Sequence, residues 1–154
     1  MKVREIMTRE VITALPDTAV NLLARLMAGR GISGVPIVTV EGTLVGIVTE
    51  LDMIVRNTRL EAPAFFQILD GRIPLETPAH YKKRLQHILG ALASDVMTEE
   101  VVTVPPDTLI EDVAEILVKQ RVNPIPVLHE GELVGIVSRA DIIEMMAKNL
   151  DNDA

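Results

Sequence analysis

The chain has 154 residues, of which 48% are hydrophobic, and this length is typical of one compact domain with a sizeable core. Fifteen Lys and Arg against 22 Asp and Glu give a net charge of −7, which argues against a nucleic-acid binder because such a surface must be basic. There is no cysteine, the charged start MKVREIMTRE is unlike a signal peptide, and the uncharged runs are too short to span a membrane. We therefore expect a cytoplasmic protein that does not insert into a membrane.

The most informative feature of the sequence is an internal repeat. Residues 5–18, EIMTREVITALPDT, align with residues 95–108, DVMTEEVVTVPPDT, at a constant offset of 90. Residues 41–54, EGTLVGIVTELDMI, align with residues 130–143, EGELVGIVSRADII, at an offset of 89. The chain is therefore predicted to contain two copies of one unit.

The repeat predicts the organisation of the chain. The first copy covers residues 1–54, the second copy covers residues 93–154, and residues 55–92 form an insert that belongs to neither. A unit of about 50 residues buries too small a share of its surface to be stable alone. We therefore expect the two copies to pair about a pseudo-twofold axis and to share a core.

Each copy has the pattern of a β-α-β-β-α unit. After a V-x-T strand, a Pro-Asp-Thr turn predicts the start of a helix, and Thr108 and Glu111 have the spacing of a capping box. The predicted apolar stripe of this helix is Ala19, Leu22, Leu23 and Leu26 in the first copy and Leu109, Val113, Ile116 and Leu117 in the second. Two β-branched runs follow, at 35–40 and 44–48 and again at 125–128 and 133–137. They predict hairpins in which Gly42 and Gly131 supply the positive φ of the turn.

The insert carries helical signals of its own. Thr77 and Pro78 are typical of the N-cap and first residue of a helix, and residues 64–69, ended by Gly71, are a shorter candidate. His80 and His87 lie seven residues apart without a third ligand, whereas a stable zinc site needs three or four. We therefore predict a helical insert and no metal site.

The strongest candidate site is the end of each copy, where a strand finishes in a hydroxyl residue and a carboxylate follows three positions later. These pairs are Thr49 with Asp52 and Ser138 with Asp141. The spacing is that of a capping box, so each pair could simply satisfy free backbone N–H groups. Alternatively, the helix N-terminus attracts phosphate and the Asp accepts hydrogen bonds from two ribose hydroxyls, both of which a nucleotide carries. The spacing alone leaves both interpretations open.

Taken together, these motifs resemble a pair of cystathionine-β-synthase (CBS) domains. The EIMT and DVMT leads, V-x-T strands, Pro-Asp-Thr turns, x-P-[IV] strands and G-I-V-[TS]-x-x-D ends cover residues 3–54 and 93–143. The resemblance implies an α+β fold of two tandem β-α-β-β-α units. It also implies a regulatory module whose clefts bind AMP, ADP, ATP or S-adenosylmethionine, with no catalytic cofactor.

The resemblance further implies which residues form each cleft. The Asp would hold the ribose, the preceding Thr or Ser would approach phosphate, and backbone around the x-P dipeptide and the V-x-T strand would embrace the adenine. In the first cleft these residues are Thr13, Val35, Pro36, Thr49 and Asp52, and in the second they are Thr103, Ile125, Pro126, Ser138 and Asp141.

The two clefts are not expected to bind equally. Arg139 stands where a cation would meet phosphate in the second cleft, whereas its counterpart in the first is Glu50. A carboxylate there repels phosphate by about 1 kcal/mol. We therefore expect tighter binding in the second cleft, unless both side chains are merely solvated.

Three classes of function are weighed on these grounds. The first is a ligand-sensing module that forms a homodimer or acts on a separate effector protein when an adenosine compound shifts its helices. The second is a dimerisation or interaction scaffold whose clefts are empty. The third is an enzyme, which we do not expect because the sequence has no Ser-His-Asp order, metal triad or Walker-type loop.

Overall fold

The computed structural model describes residues 1–54, 65–68, 71–74 and 91–152. The first copy contains helix α1 (Val20–Arg30), strands β1 (Gly34–Val38) and β2 (Leu44–Thr49), and helix α2, described over residues 50–54. The insert contributes strands β3 (Phe65–Ile68) and β4 (Gly71–Pro74). The second copy contains helices α3 (Ala93–Val96) and α4 (Ile110–Lys119), strands β5 (Ile125–His129) and β6 (Glu132–Val137), and helix α5 (Arg139–Asn152). The predicted α+β fold of two tandem units is confirmed.

The sheet of each copy is built on one antiparallel hairpin. Strand β1 pairs with β2, and strand β5 pairs with β6. Gly42 and Gly131 adopt φ of 88° and 83° in the two turns, which is the left-handed region that glycine enters without steric cost. Both predicted hairpins are therefore confirmed, with ends that differ from the prediction by one or two residues.

The first strand of each predicted unit is reduced to a single pairing. Ala14 forms a parallel bridge with Ile37 of β1, and Val104 forms the equivalent bridge with Val127 of β5. The V-x-T segments therefore lie beside the hairpins without extending into longer strands.

The segment that opens each copy, which we call its lead, pairs with the sheet of the other copy. The leads are EIMT at residues 5–8 and DVMT at residues 95–98. Thr98, from the second copy, forms an antiparallel bridge with Ile47 of β2, and its backbone N–H donates to the Ile47 carbonyl at 2.9 Å. Thr8, from the first copy, forms the same bridge with Ile136 of β6, also at 2.9 Å. Each lead is thus an edge segment of the other copy's sheet, and the reciprocal contacts follow the expected pseudo-twofold relation.

Two methionines pack on glycines beneath the exchanged leads. A Cβ built at Gly46 would lie 2.4 Å from Met97 Sδ, and a Cβ built at Gly135 would lie 2.4 Å from Met7 Sδ. Only a residue without a side chain leaves room for the thioether here. Met7 is 8% exposed and belongs to the hydrophobic core.

Because the leads cross, each hydrophobic core is built from both copies. One core combines Val3 and Met7 with Val104, Ile110, Val113, Leu117, Ile125, Val127 and Val137. The other combines Ala93 and Val96 with Val20, Leu23, Met27, Val35, Ile37 and Val48. Neither core is complete without residues from the other copy, which is the physical basis of the pairing.

The helix that follows each Pro-Asp-Thr turn, α1 or α4, begins one residue later than the turn suggests. The N-cap of α4 is Leu109, without a side-chain cap, and Thr108 Oγ1 instead donates to the Pro105 carbonyl at 2.8 Å. The predicted capping box between Thr108 and Glu111 is therefore wrong.

The buried stripe of this helix shifts with its start. The buried residues are Ile110, Val113 and Leu117 in α4 and Val20, Leu23 and Met27 in α1. Leu22 and Leu109, which we predicted to be in the stripe, are 50% and 47% exposed.

The described part of the insert is not helical. Strands β3 and β4 pair as an antiparallel hairpin with Phe65 opposite Pro74 and Ile68 opposite Gly71. The predicted helix over 64–69 is therefore wrong, because Gly71 starts the return strand of a turn and does not end a helix. The helix predicted from Thr77, with His80 and His87, lies outside the described residues.

Candidate functional site

Of the open cavities that the described residues form between the copies, two are lined by a predicted pair of hydroxyl residue and carboxylate. One has a volume of about 590 Å³ and is lined by Ser138 and Asp141, and we call it the Asp141 cavity. The other has a volume of about 600 Å³ and is lined by Thr49 and Asp52, and we call it the Asp52 cavity. Both volumes fall within the range of roughly 300–1,000 Å³ that is usual for small-molecule sites.

Each cavity combines one copy's helix start with the other copy's lead. The remaining wall of the Asp141 cavity includes Thr8, Glu10, Val11, Ile12, Ile32, Ser33 and Gly34. The remaining wall of the Asp52 cavity includes Thr98, Glu100, Val101, Val102 and Val122. Asn123 and Pro124 line both cavities. The crossed leads therefore bring each carboxylate together with the V-x-T segment of the other copy.

This grouping differs from the one the sequence predicted. We expected Thr13 beside Asp52 and Thr103 beside Asp141, but the lead that ends near each threonine crosses to the other copy's sheet. Neither Thr13 nor Thr103 itself lines either cavity.

The dipeptides of the x-P motif also lie elsewhere. Their residues, Val35, Pro36, Ile125 and Pro126, are fully buried in β1 and β5 and do not line either cavity. Hydrogen bonds explain their place, since the Pro36 carbonyl accepts from Ala14 N and the Pro126 carbonyl accepts from Val104 N. These residues therefore hold the sheet behind the cavities.

Asp141 forms a full capping box with Ser138. Asp141 Oδ2 accepts hydrogen bonds from the Ser138 backbone N–H at 2.6 Å and from Ser138 Oγ at 2.9 Å. The Asp141 backbone N–H donates in return to Ser138 Oγ at 3.4 Å. The other oxygen, Oδ1, accepts no hydrogen bond from the described residues, and Asp141 lines the cavity that carries its name.

Asp52 forms the same box with Thr49 but uses both of its oxygens. Asp52 Oδ2 accepts from the Thr49 backbone N–H at 2.9 Å and from Thr49 Oγ1 at 3.1 Å. Asp52 Oδ1 accepts from Thr98 Oγ1 at 3.1 Å. The capping interpretation therefore holds for both carboxylates, and only Asp141 keeps an oxygen that no described residue engages.

The charged side chains at the cavities are partly shared. Arg139 and Glu50 each line both cavities, although we predicted one in each cleft. Glu50 and Arg139 are the first residues of α2 and α5, so both helix starts border both cavities. Arg30 lines the Asp141 cavity, and Arg121 lines the Asp52 cavity.

The sequence did not point to the segment before each hairpin. This segment ends in Ser33 and Gly34 in the first copy and in Asn123 and Pro124 in the second. It fixes the neighbouring helix starts, because the Glu50 N–H donates to the Ser33 carbonyl at 2.9 Å and the Arg139 N–H donates to Asn123 Oδ1 at 3.0 Å. The two copies differ in residue type at both positions, so the repeat offered no signal there.

Metal ligation and membrane insertion find no support in the described ranges. No group of three or more His, Asp or Glu residues is placed to hold a metal ion there, and His129 is exposed at the end of β5. Among the helices described, none combines the length and apolar character needed to cross a bilayer.

Comparison with known proteins defines the class of the fold. The family model for the CBS domain matches residues 3–56 and 93–148, and the chain therefore belongs to the CBS domain family. The chain is 30% identical over 156 residues to the uncharacterized protein MJ1426 of Methanocaldococcus jannaschii, covering 95% of this chain and 91% of that protein.

Solved CBS structures share the fold. CBSX2 in complex with AMP superposes with a TM-score of 0.70 at 23% identity, covering 96% of each chain. The CBS domain pair of MJ0100, in complex with 5′-methylthioadenosine and S-adenosyl-L-methionine, superposes with a TM-score of 0.71 at 23% identity, covering 97% of this chain and 98% of that chain. CBS domain pairs are regulatory modules, and this chain has their architecture.

Proposed function

We propose that this CBS domain pair is a ligand sensor that binds an adenosine compound in the cavities between its two copies. The candidate ligands are AMP, ADP, ATP and S-adenosylmethionine. CBSX2 binds AMP, and MJ0100 binds 5′-methylthioadenosine and S-adenosyl-L-methionine, on the same fold. The ligand is regulatory, and the module itself catalyses no reaction.

The proposal rests on the carboxylate of Asp141, in which only one of the two oxygens accepts hydrogen bonds from the described residues. Its Oδ2 caps α5, whereas its Oδ1 accepts no hydrogen bond within the described part of the chain. Asp141 lines a cavity of about 590 Å³, and a carboxylate oxygen that accepts no hydrogen bond from the described residues is suited to accept them from vicinal ribose hydroxyls. The cap keeps the carboxylate fixed, so little conformational entropy is lost when a ligand binds.

The rest of the Asp141 cavity suits the other parts of a nucleotide. Val11, Ile12 and Ile32 provide apolar surface for a purine. Arg30 and Arg139 line the same cavity, and guanidinium groups are the preferred partners of phosphate. We accordingly propose that Asp141 holds the ribose and that Arg139 meets the phosphate.

A sensor also needs a route to a partner. Several apolar side chains of α2 and α5 are at least half exposed, namely Leu51, Ile54, Ile143 and Met146. These helices start directly at the cavities, so a ligand that shifts their first turns would move this surface. We propose that a second copy of the chain or a separate effector protein in the cytoplasm reads that shift.

The alternative function is a structural scaffold with cavities that bind nothing. The observation in its favour is that both carboxylates already act as helix caps. In that case Asp52 and Asp141 would contribute to stability alone.

The experiment is a thermal-shift series with AMP, ADP, ATP and S-adenosylmethionine on the full chain. A ligand at 100 times its Kd adds about 2.7 kcal/mol to the free energy of unfolding, which corresponds to a rise in Tm of roughly 5–10 °C for a chain of this size. Asp141→Asn keeps a capping oxygen but replaces the free acceptor, so most of the shift should disappear. Asp52→Asn is the matched control and should retain most of it, because Thr98 already occupies the equivalent oxygen.

Two outcomes would contradict the sensor. If no adenosine compound raises the Tm, the scaffold function is favoured. If Asp141→Asn lowers the Tm of the free chain but leaves the ligand response unchanged, Asp141 is a cap only and the site assignment fails.

A further inference from the structure

Arg139 is the one cation of the described residues that lines both cavities. It is the first residue of α5, and it lines the Asp141 cavity and the Asp52 cavity. Its backbone N–H is tied to Asn123 Oδ1 at 3.0 Å, and Asn123 also lines both cavities. The base of the side chain is therefore fixed at the boundary between the two sites.

The guanidinium group of Arg139 is not held by a carboxylate of the described residues. It forms no ion pair with the carboxylates of the described residues. The arginine side chain is long and exposed here, so its terminal group can move between neighbouring positions at small cost. A phosphate, in contrast, binds a guanidinium through two parallel hydrogen bonds and holds it in one place.

The charges around the cavities make the location of this one group important. Among the described residues, the Asp141 cavity is lined by one further cation, Arg30, and the Asp52 cavity by one further cation, Arg121. The described lining of each cavity also includes three carboxylates, of which Glu50 is common to both. Of these described side chains, a cavity that loses Arg139 presents one cation and three carboxylates to a phosphate.

We propose that the two cavities share Arg139, so that a phosphorylated ligand bound in one cavity withdraws the guanidinium from the other and lowers its affinity for a second phosphorylated ligand. The coupling acts through the phosphate and is absent for an uncharged nucleoside. This inference rests on the proposed function, because it assumes that both cavities accept an adenosine compound.

Isothermal titration of the full chain with AMP and with adenosine separates this coupling from an intrinsic difference between the cavities. Adenosine has no phosphate, so the ratio of its two binding constants measures the difference between the cavities for the nucleoside alone. A phosphate preference of one cavity is separated from the coupling in the Asp141→Asn chain. There Arg139→Gln should still weaken AMP in the Asp52 cavity if the cavities share Arg139, and should not if Arg139 serves the Asp141 cavity alone. A charge-assisted hydrogen bond contributes about tenfold or more in binding, so the ratio of the two AMP constants should exceed the adenosine ratio by about tenfold.

Two variants identify the group responsible. Arg139→Gln should weaken the first AMP to bind, bring the AMP ratio down to the adenosine ratio, and leave both adenosine constants unchanged. Arg121→Gln is the matched control, since Arg121 lines the Asp52 cavity only. It should weaken AMP at one cavity and keep the AMP ratio above the adenosine ratio.

Three results would overturn the sharing of Arg139. They are equal AMP and adenosine ratios in the unmodified chain, an AMP ratio that Arg139→Gln leaves unchanged, and a stoichiometry of one adenosine per chain. A chain that binds none of adenosine, AMP, ADP, ATP and S-adenosylmethionine would instead contradict the proposed function. Far-ultraviolet circular dichroism of each variant checks that the fold is retained.

Discussion

The contact between Gly46 and Met97 tests whether the lead of the second copy lies on the sheet of the first. A methyl group at position 46 would stand 2.4 Å from Met97 Sδ, 2.8 Å from its Cγ and 3.1 Å from its Cβ. The thioether can rotate away, but the Cβ moves only with the backbone of the lead. Overpacking costs about 1–3 kcal/mol, and loss of the glycine's freedom in the unfolded chain returns about 0.4–1 kcal/mol. We therefore expect Gly46→Ala to lower the free energy of unfolding by about 1–2 kcal/mol.

A double variant shows whether this cost arises at Met97. Met97→Ala alone should cost about 2 kcal/mol, because it removes a partly buried side chain that packs against the core. In the Gly46→Ala, Met97→Ala double variant, the new methyl occupies part of the space left by the thioether. The combined loss should therefore be smaller than the sum of the single losses by about 1 kcal/mol. Urea unfolding with linear extrapolation measures each free energy.

Additivity would refute the exchanged lead. If the two single losses add to within about 0.5 kcal/mol, positions 46 and 97 do not touch, and the lead lies elsewhere. Gly29→Ala serves as a reference for the general effect of replacing glycine by alanine, because a Cβ built at Gly29 meets nothing within 4 Å.

Two further predictions concern the helix ends. Gly29→Ala, inside α1, should raise the free energy of unfolding by about 0.5 kcal/mol. Gly31→Ala should lower it by about 1 kcal/mol, because Gly31 has a φ of 62°. Changes of the same sign in urea unfolding would contradict this prediction. Ser138→Ala should lower the free energy of unfolding by about 1 kcal/mol, because it removes a hydroxyl of the α5 capping box. Thr108→Ala should lower it by less than about 0.5 kcal/mol, because Thr108 does not cap α4. Equal losses in urea unfolding would show that the Pro-Asp-Thr turn contributes a cap after all.

In both capping boxes at the cavities, a single carboxylate oxygen forms the cap. Oδ2 of Asp52 and Oδ2 of Asp141 accept the backbone N–H of Thr49 and Ser138 at the start of α2 and α5. This hydrogen bond also fixes the position of the second carboxylate oxygen. The difference between the sites then depends on one threonine hydroxyl. Thr98 donates a hydrogen bond to Asp52. Thr8 lines the Asp141 cavity, but the hydrogen bonds of the described residues include none from Thr8 to Asp141. Local capping and ligand binding are therefore compatible at Asp141.

Local signals in the sequence succeeded where the structure is local. The hairpin turns at Gly42 and Gly131 and the capping boxes that begin at Thr49 and Ser138 involve residues within a few positions of each other. The same kind of signal failed at Thr108, because the Pro105 carbonyl competes for its hydroxyl. Helix α4 then starts later and turns a different stripe toward the core.

The sequence by itself determined the two copies, their order of elements, the pairing of the copies and the two carboxylates at the helix starts. Only the tertiary structure decided which residues surround each carboxylate. The reason is that each lead crosses to the sheet of the other copy, through contacts such as Thr8 with Ile136 and Thr98 with Ile47. These partners are far apart in the chain. Two copies of one repeat offer each lead two similar sheets, so no spacing within one copy specifies which sheet the lead joins.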